Sequence, residues 1–294
     1  MATSFNNTIS NDAGSIFTPE SGRYHLYASY GCPFAMRTLV ALKLKGLDGI
    51  VSVSQVHYKW TSEAGWLFTE EYPDHLYGAS NLREVYLKSD PEYKGRVSVP
   101  LLWDKKLGKA VNNESHEIVR IFNTAFNGLL PAGEQRDLDL YPQSLRAEID
   151  SISSWTQSDI STGVYAAGWA DSQEKYETGA RKVFAALDRI ESILSKQRFL
   201  AGDQITEADV RVLPFILFFD VVFVITLKLN LKTIQHDYPA ILRWAQTLYQ
   251  TSSVGETFQV EYVKKSAFEL EKITKVPLIP IGNGPNFASS SLSP

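Results

Sequence analysis

The chain has one cysteine, Cys32, set in Tyr30-Gly-Cys-Pro-Phe34. An aromatic-rich segment, Tyr24 to Tyr30, precedes it, and a helix-like apolar pattern begins at Pro33. A cysteine at such a strand-to-helix junction meets unpaired backbone N–H groups and the positive end of a helix dipole. That placement can lower a thiol pKa from about 8.5 into a range of about 3.5–7.5, giving a thiolate nucleophile. Redox proteins with Cys-x-x-Cys at this junction resolve a mixed disulfide with their second cysteine. Ala35 holds that second position here, so a mixed disulfide on Cys32 must be cleared by an external thiol. The plain alternative is that Cys32 is a small buried apolar residue, as free cysteines commonly are.

The elements that would position this residue can be read from pattern. Tyr24 to Tyr30 reads as a strand ending in a turn. Phe34, Leu39, Leu42 and Leu44 suit a helix that starts at Pro33 and stops near Gly46. Ile50 to Tyr58 alternates apolar and polar residues, a second strand that completes a βαβ unit. Lys59 to Ser80 has no period but holds Trp60, Trp66, Phe68, Tyr72 and Tyr77. A loop that long and aromatic is expected to pack over something. Asn81 to Glu84 can open a short helix through a capping box. Val97 to Trp103 reads as a strand interrupted by Pro100, which points to an edge or a turn and a cis Val99–Pro100 bond. Lys109 to Val111 is its hairpin partner, and Asn113 is expected to cap a helix from Glu114 to Phe126.

Beyond a Pro- and Gly-bearing linker, Gly128 to Pro142, every pattern is helical. Leu145 to Val164 and Gln173 to Gln197 keep helical spacing. Thr206-Glu-Ala-Asp209 is a cap that opens a buried apolar helix running through Val212 to Leu227. Tyr238 to Thr251 is another helix, and the tail from Phe258 is expected to drape over the surface. The expected organisation is a flexible arm over 1–22, an α/β domain over 23–130, an all-helical domain over 143–258 and a C-terminal extension over 259–294.

Composition limits the function. Among 294 residues, 44% are apolar, enough for a sizeable core, and the formal charge is −4. No basic run marks a nucleic-acid surface. One cysteine excludes an internal disulfide and points to a reducing, cytoplasmic setting. The first 21 residues lack the pattern of a secretory signal, and Val212 to Leu227 is shorter than the ~20 residues of a membrane span. His25, His57, His75, His116 and His236 show no ligand spacing, so no metal site is expected.

Several motifs recur in one order: Cys32-Pro-Phe-Ala-Met-Arg37-Thr38, Gly65-Trp66-Leu-Phe68, Val99-Pro100-Leu-Leu-Trp103-Asp104 and Asn112-Asn-Glu114-Ser115. Together with Gly163-Val-Tyr165, Thr206-Glu-Ala-Asp209 and Asp237-Tyr238-Pro239, they resemble the xi-class glutathione transferases, also called glutathionyl-hydroquinone reductases. The resemblance runs from about Tyr24 to Pro280. It implies an N-terminal thioredoxin-like domain that binds glutathione as cosubstrate, followed by a C-terminal helical bundle domain that holds a hydrophobic, aromatic quinol-type substrate. It implies that Cys32 attacks the glutathionyl sulfur, that the hydroquinone leaves, and that a second glutathione clears the mixed disulfide. Val99, before a cis Pro100, would offer its backbone to the cysteinyl part of glutathione. Glu114 and Ser115 suit the γ-glutamyl group, Arg83 a carboxylate, Trp66 a cover over the ligand, and Tyr165 a proton donor to the quinol. A homodimer is expected on the same grounds.

The match has gaps. Phe34 and Met36 stand where the family has Trp and His. Ala267 and Phe268 stand where it has a pair of tyrosines. Three functions therefore stay open: the glutathione-dependent reductase, a non-catalytic binder of glutathione or a hydrophobic ligand on the same fold, and a conjugating transferase.

Overall fold

The computed structural model describes residues 4–269 and 278–289. The chain divides between Asp139 and Leu140 into two compact units, inside the linker read from the sequence.

The first unit holds β1 (Tyr24–Ala28), α1 (Pro33–Leu44), β2 (Val51–Gln55), a small hairpin of β3 (Trp60–Thr61) and β4 (Gly65–Trp66), α2 (Leu82–Ser89), β5 (Leu101–Asp104), β6 (Lys109–Asn112), α3 (Ser115–Thr124) and a single turn, α4 (Glu134–Asp137). Four strands form a mixed sheet in the order β2-β1-β5-β6. β1 and β2 run parallel, with Tyr24 opposite Val51 and Ala28 opposite Gln55. Parallel neighbours need a crossover, and α1 supplies it. β1 lies against antiparallel β5, and β5 against antiparallel β6. This is the thioredoxin-like domain expected from the sequence. β1 is buried along its whole length, and α1 buries ten of its twelve residues. α1 ends where Gly46 takes the left-handed conformation, φ 62°, which glycine adopts without a Cβ penalty. Lys45 beside it is fully buried and donates to the carbonyls of Arg136 and Leu138.

Three expectations are corrected. The first concerns residues 1–22. From residue 4 on, this segment is not a loose arm: the amide of Asn7 donates to Val111 at 3.0 Å, Asn6 bridges Asn112, and Ile9 and Phe17 are buried. It covers the outer edge of β6, whose backbone groups would otherwise be open to pairing. Second, Asn113 does not cap α3. Its Oδ1 accepts from the Phe5 amide and its Nδ2 donates to Tyr86 Oη, and Glu114 takes the capping position without a side-chain bond. Third, Val97 to Trp103 is not one strand: β5 begins only at Leu101, inside the sheet, and Pro100 lies in the irregular segment just before it, so of the two readings, edge or turn, the edge is the one that falls. The aromatic loop is ordered from within. Buried Asp74 accepts from Tyr27 Oη at 2.9 Å and from the amides of Leu76, Tyr77 and Ala79.

The second unit is helical, with no strand among its described residues: α5 (Arg146–Thr156), a π-helical turn (Gln157–Ser161), α6 (Gly163–Gly168), α7 (Gln173–Leu194), α8 (Glu207–Phe218), a second π-helical turn (Phe219–Phe223), α9 (Val224–Thr226), α10 (Ile234–Asp237), α11 (Pro239–Tyr249) and α12 (Val260–Phe268). The single helix expected over Leu145 to Val164 is broken by the first π turn. α6 and α7 touch closely: a Cβ on Gly179 would stand 3.0 Å from Ala167 Cα and Cβ. The segment expected to drape from Phe258 instead begins with α12, which buries Tyr262, Val263 and Phe268. Phe287 returns to stack on Tyr249. The rest of the expected extension, 270–277 and 290–294, lies outside the described residues. No helix among the described residues is long and apolar enough to cross a membrane.

The Thr206–Asp209 capping box forms as read. Its carboxylate does more than cap: buried Asp209 accepts from the amides of Leu200 and Thr206, the Thr206 hydroxyl and Trp244 Nε1, each at 2.9 Å. Replacing Asp209 with Ala removes the acceptor and strands these donors. Such groups cost about 1–3 kcal/mol each when buried without a partner, with partial relaxation expected. The Asp209→Ala variant should therefore lose about 3 kcal/mol or more of unfolding free energy in urea titration. A loss below 1 kcal/mol would show that the box carries little.

Candidate active site

Cys32 is the N-cap residue of α1, with φ −117° and ψ 111°, and Pro33 is the first helical residue. Its carbonyl accepts from Met36 at 2.9 Å and starts the helix. No acidic residue occupies the first turn, so no carboxylate competes with a thiolate there. The Val99–Pro100 bond is cis. Cys32 Sγ lies 4.0 Å from the Val99 carbonyl, to which the thiol donates.

Cys32 opens onto a cleft of about 270 Å³ within the first unit. One wall is the segment before β5, with Arg96, Ser98, Val99 and Pro100; another is the start of α3, with Asn113, Glu114 and Ser115. Phe34, Trp66 and Ser4 complete the lining. Trp66 comes from the β3–β4 hairpin, paired opposite Trp60. That hairpin turns through Gly65 at φ 74°, and its base is closed by the His57 amide donating to the Leu67 carbonyl at 2.8 Å.

The electrostatics depart from the expectation of a lowered thiol pKa. Burial pushes the Cys32 thiol up, because the charged form loses hydration. The backbone N–H groups of Ala35 and Phe34 oppose that, as do the charges of Arg96 and Arg37, without overturning it. Glu114 is also pushed up, first by burial and then by neighbouring Glu117. Its own amide donates to Asn112 Oδ1 at 2.7 Å.

Of the residues nominated from sequence, Cys32, Trp66, Val99, Pro100, Glu114 and Ser115 line one cleft. Arg83 is exposed on α2 and does not line it. Tyr165 belongs to the second unit, on α6, where its ring meets Trp169 at 4.9 Å and Phe223 at 5.8 Å. The sequence reading missed Arg96. Its signal was position: a cation three residues before the Val99-Pro100 pair rather than one near the aromatic loop. Phe34 and Met36, the two departures beside the nucleophile, differ in kind. Phe34 lines the cleft, while Met36 is fully buried in the core. Phe268 is buried on α12. Among the described residues no group of His, Cys, Asp and Glu is placed to hold a metal ion.

Comparison with known proteins places these elements in context. Residues 31–125 match the model for the glutathione S-transferase N-terminal domain and residues 173–247 that for the C-terminal domain. The chain is 43% identical over 277 residues to glutathione S-transferase omega-like 2 of Schizosaccharomyces pombe, covering 91% of this chain and 88% of the relative. It is 42% identical over 272 residues to the glutathionyl-hydroquinone reductase YqjG of Escherichia coli, covering 90% of this chain and 81% of that protein. The glutathione-bound structure of YqjG superposes with a TM-score of 0.90 at 38% identity, over 97% of this chain and 95% of that one. The glutathione-S-transferase Xi of Phanerochaete chrysosporium superposes with a TM-score of 0.90 at 44% identity, over 96% of both chains.

The opposed influences on Cys32 make a pH prediction. A thiol with a raised pKa is mostly protonated at neutral pH, and its thiolate fraction grows as pH rises. Alkylation of Cys32 by iodoacetamide should therefore accelerate with a midpoint above the ~8.5 of a free cysteine. Arg96→Ala removes a charge that favours the thiolate and should move the midpoint higher still. A midpoint below 7.5 in the unaltered protein would show that the amides and guanidinium groups outweigh burial.

Proposed function

The chain belongs to the xi class of glutathione transferases, the glutathionyl-hydroquinone reductase family, and from that premise we propose that it removes glutathione from glutathionyl-hydroquinones or related adducts through Cys32. The observation that carries this reading is the placement of the only cysteine of the chain at the start of α1. There it opens onto a cleft whose other walls are the cis Val99–Pro100 segment and the start of α3.

The cleft offers glutathione complementary groups along its length. The backbone of Val99 pairs with the cysteinyl part of the tripeptide as an added strand would. Ser115 and the first amides of α3 take the γ-glutamyl carboxylate, as helix N-termini do for anions, and Glu114 takes the ammonium group. Arg96 receives the other carboxylate through charge-assisted hydrogen bonds, the role first given to Arg83. Trp66 covers the ligand. The role expected of Tyr165, proton donor to a quinol oxygen, is part of the same proposal, as are a homodimer and a reducing cytoplasm.

In the first step the Cys32 thiolate attacks the thioether sulfur of the adduct. The new S–S bond forms as the bond from sulfur to the ring carbon breaks. The electron pair of that bond stays on the ring carbon, which takes up a proton, and the hydroquinone leaves. In the second step a glutathione thiolate attacks the glutathione sulfur of the mixed disulfide and releases the Cys32 thiolate and glutathione disulfide. The sum is adduct plus glutathione giving hydroquinone plus glutathione disulfide. Two sulfurs are oxidised and one ring carbon is reduced. Cysteine suits this course better than conjugation, which leaves the glutathione thiolate free to attack an electrophile.

Incubation with glutathionyl-menadione and excess glutathione should yield menadiol and glutathione disulfide together. Cys32→Ser should lose this turnover by at least about a hundredfold, within the range seen when a covalent nucleophile is removed. Without the second glutathione, the unaltered protein should gain the mass of one glutathione. Glutathione binding with no turnover in the unaltered protein would instead support the ligand-binding alternative, for which the raised Cys32 pKa is the favouring observation.

A further inference from the structure

The segment that carries Arg96 and Val99 belongs to no helix or strand. A loop that forms a wall of a binding cleft must still satisfy its backbone polar groups. Here two buried tyrosines do so. Tyr86 Oη donates to the Ser98 carbonyl at 2.7 Å and accepts from the Ser98 amide at 3.4 Å. Tyr93 Oη donates to the Arg96 carbonyl at 3.1 Å. Their rings lie 5.0 Å apart, and both are almost wholly buried.

The same pair connects to the opposite wall. Asn113, immediately before Glu114 and Ser115, donates through Nδ2 to Tyr86 Oη at 3.2 Å. One hydroxyl therefore touches both the Ser98 backbone and the side chain that leads into α3. Phe5 closes the cluster from the N-terminal segment. Its ring stacks on Tyr93 at 5.2 Å and leans on Tyr86 at 5.8 Å. Its backbone pairs twice with Asn113: the Phe5 amide reaches Asn113 Oδ1 at 2.9 Å, and the Asn113 amide reaches the Phe5 carbonyl at 3.0 Å. Ser4, the next residue outward, lines the cleft itself.

We infer that Tyr86, Tyr93 and Phe5 are positioning residues for glutathione, and that residues 4–7 act as a strap whose seating holds the two walls of the cleft at the spacing the tripeptide needs. The inference rests on the reading of this cleft as the glutathione site. None of the three is a catalytic residue: they act through Arg96, Val99 and the start of α3. Burial pushes the Tyr86 hydroxyl up to about 12, so it stays protonated and keeps its donor role at neutral and mildly alkaline pH. Losing a tyrosine hydroxyl frees one backbone anchor of the wall. Losing the Phe5 ring unseats the strap from both.

The test uses the full chain with Tyr86→Phe, Tyr93→Phe and Phe5→Ala. Tyr238→Phe serves as a control, because it removes a buried hydroxyl bound to Asp188 in the other unit. Two quantities are read beside the melting temperature: the glutathione dissociation constant by calorimetry, and the midpoint of Cys32 alkylation against pH without glutathione. The three variants should bind glutathione about three- to tenfold more weakly, the scale of one hydrogen bond. In Tyr93→Phe the alkylation midpoint should rise as Arg96 loses its anchor. The control should change neither quantity, whatever it does to melting. Unchanged binding and midpoint in all three variants, with melting alone lowered, would reduce the cluster to a stabilising role and overturn the inference. The same loss in Tyr238→Phe would overturn it too. If the unaltered protein fails to bind glutathione, the functional reading falls. The positioning role for glutathione falls with it, and a shifted midpoint in Tyr93→Phe would then show only that the cluster holds the Arg96 segment in place.

Discussion

The sulfur of Cys32 stands where a helix N-terminus, a buried cleft wall and a cation meet. Helix amides and the guanidinium groups of Arg96 and Arg37 favour its ionised form, and burial opposes it more strongly. Those two tendencies cannot be tuned independently. The depth of Cys32 in the cleft strips water from the thiol, and the helix start whose amides favour the thiolate also fixes how deep it sits. Proline at the first helical position supports this junction, since it has no N–H to leave unpaired.

Several elements of the first unit put walls around that sulfur. The parallel pairing of β1 with β2 requires the α1 crossover and so places the start of the helix at the end of β1. β5 begins directly after the cis bond, and this brings the Val99 carbonyl to the thiol. α3 follows β6 after Asn113 and Glu114, and its N-terminus lines the same cleft. The aromatic loop, anchored by Asp74, presents Trp66. In each case a secondary-structure element ends at the cleft and a side chain or loop backbone finishes it. Around Arg96, Ser98 and Asn113 the finishing pieces are held by side-chain hydrogen bonds, and Trp66 by the β3–β4 ladder.

The second unit is built on a different economy. It buries an almost continuous apolar run, α8 and the π turn after it. It fastens the start of that run with Asp209, whose carboxylate ties three separate segments together through Leu200, Thr206 and Trp244. Two π turns interrupt helices that the apolar spacing alone would continue. Close contact between α6 and α7 at Gly179 shows how little space the packing leaves.

The sequence by itself determined the local features that depend on neighbours along the chain. The strand-turn-helix at Cys32, the parallel pairing implied by a βαβ pattern, the Thr206–Asp209 cap and the start of α7 were all legible, because propensity, capping and periodicity act over a few residues. The motif order also grouped Cys32, Val99, Glu114 and Ser115, which line one cleft. Only the tertiary structure decided that Arg96 and not Arg83 lines the cleft, that Asn113 serves Phe5 and Tyr86 rather than α3, and that Ser4 of the N-terminal segment reaches the cleft lining. It also decided that the Cys32 thiol is raised and not lowered. Each of these depends on which groups distant in sequence are brought together and on how much water they displace, and neither quantity is written in the spacing of residues along the chain.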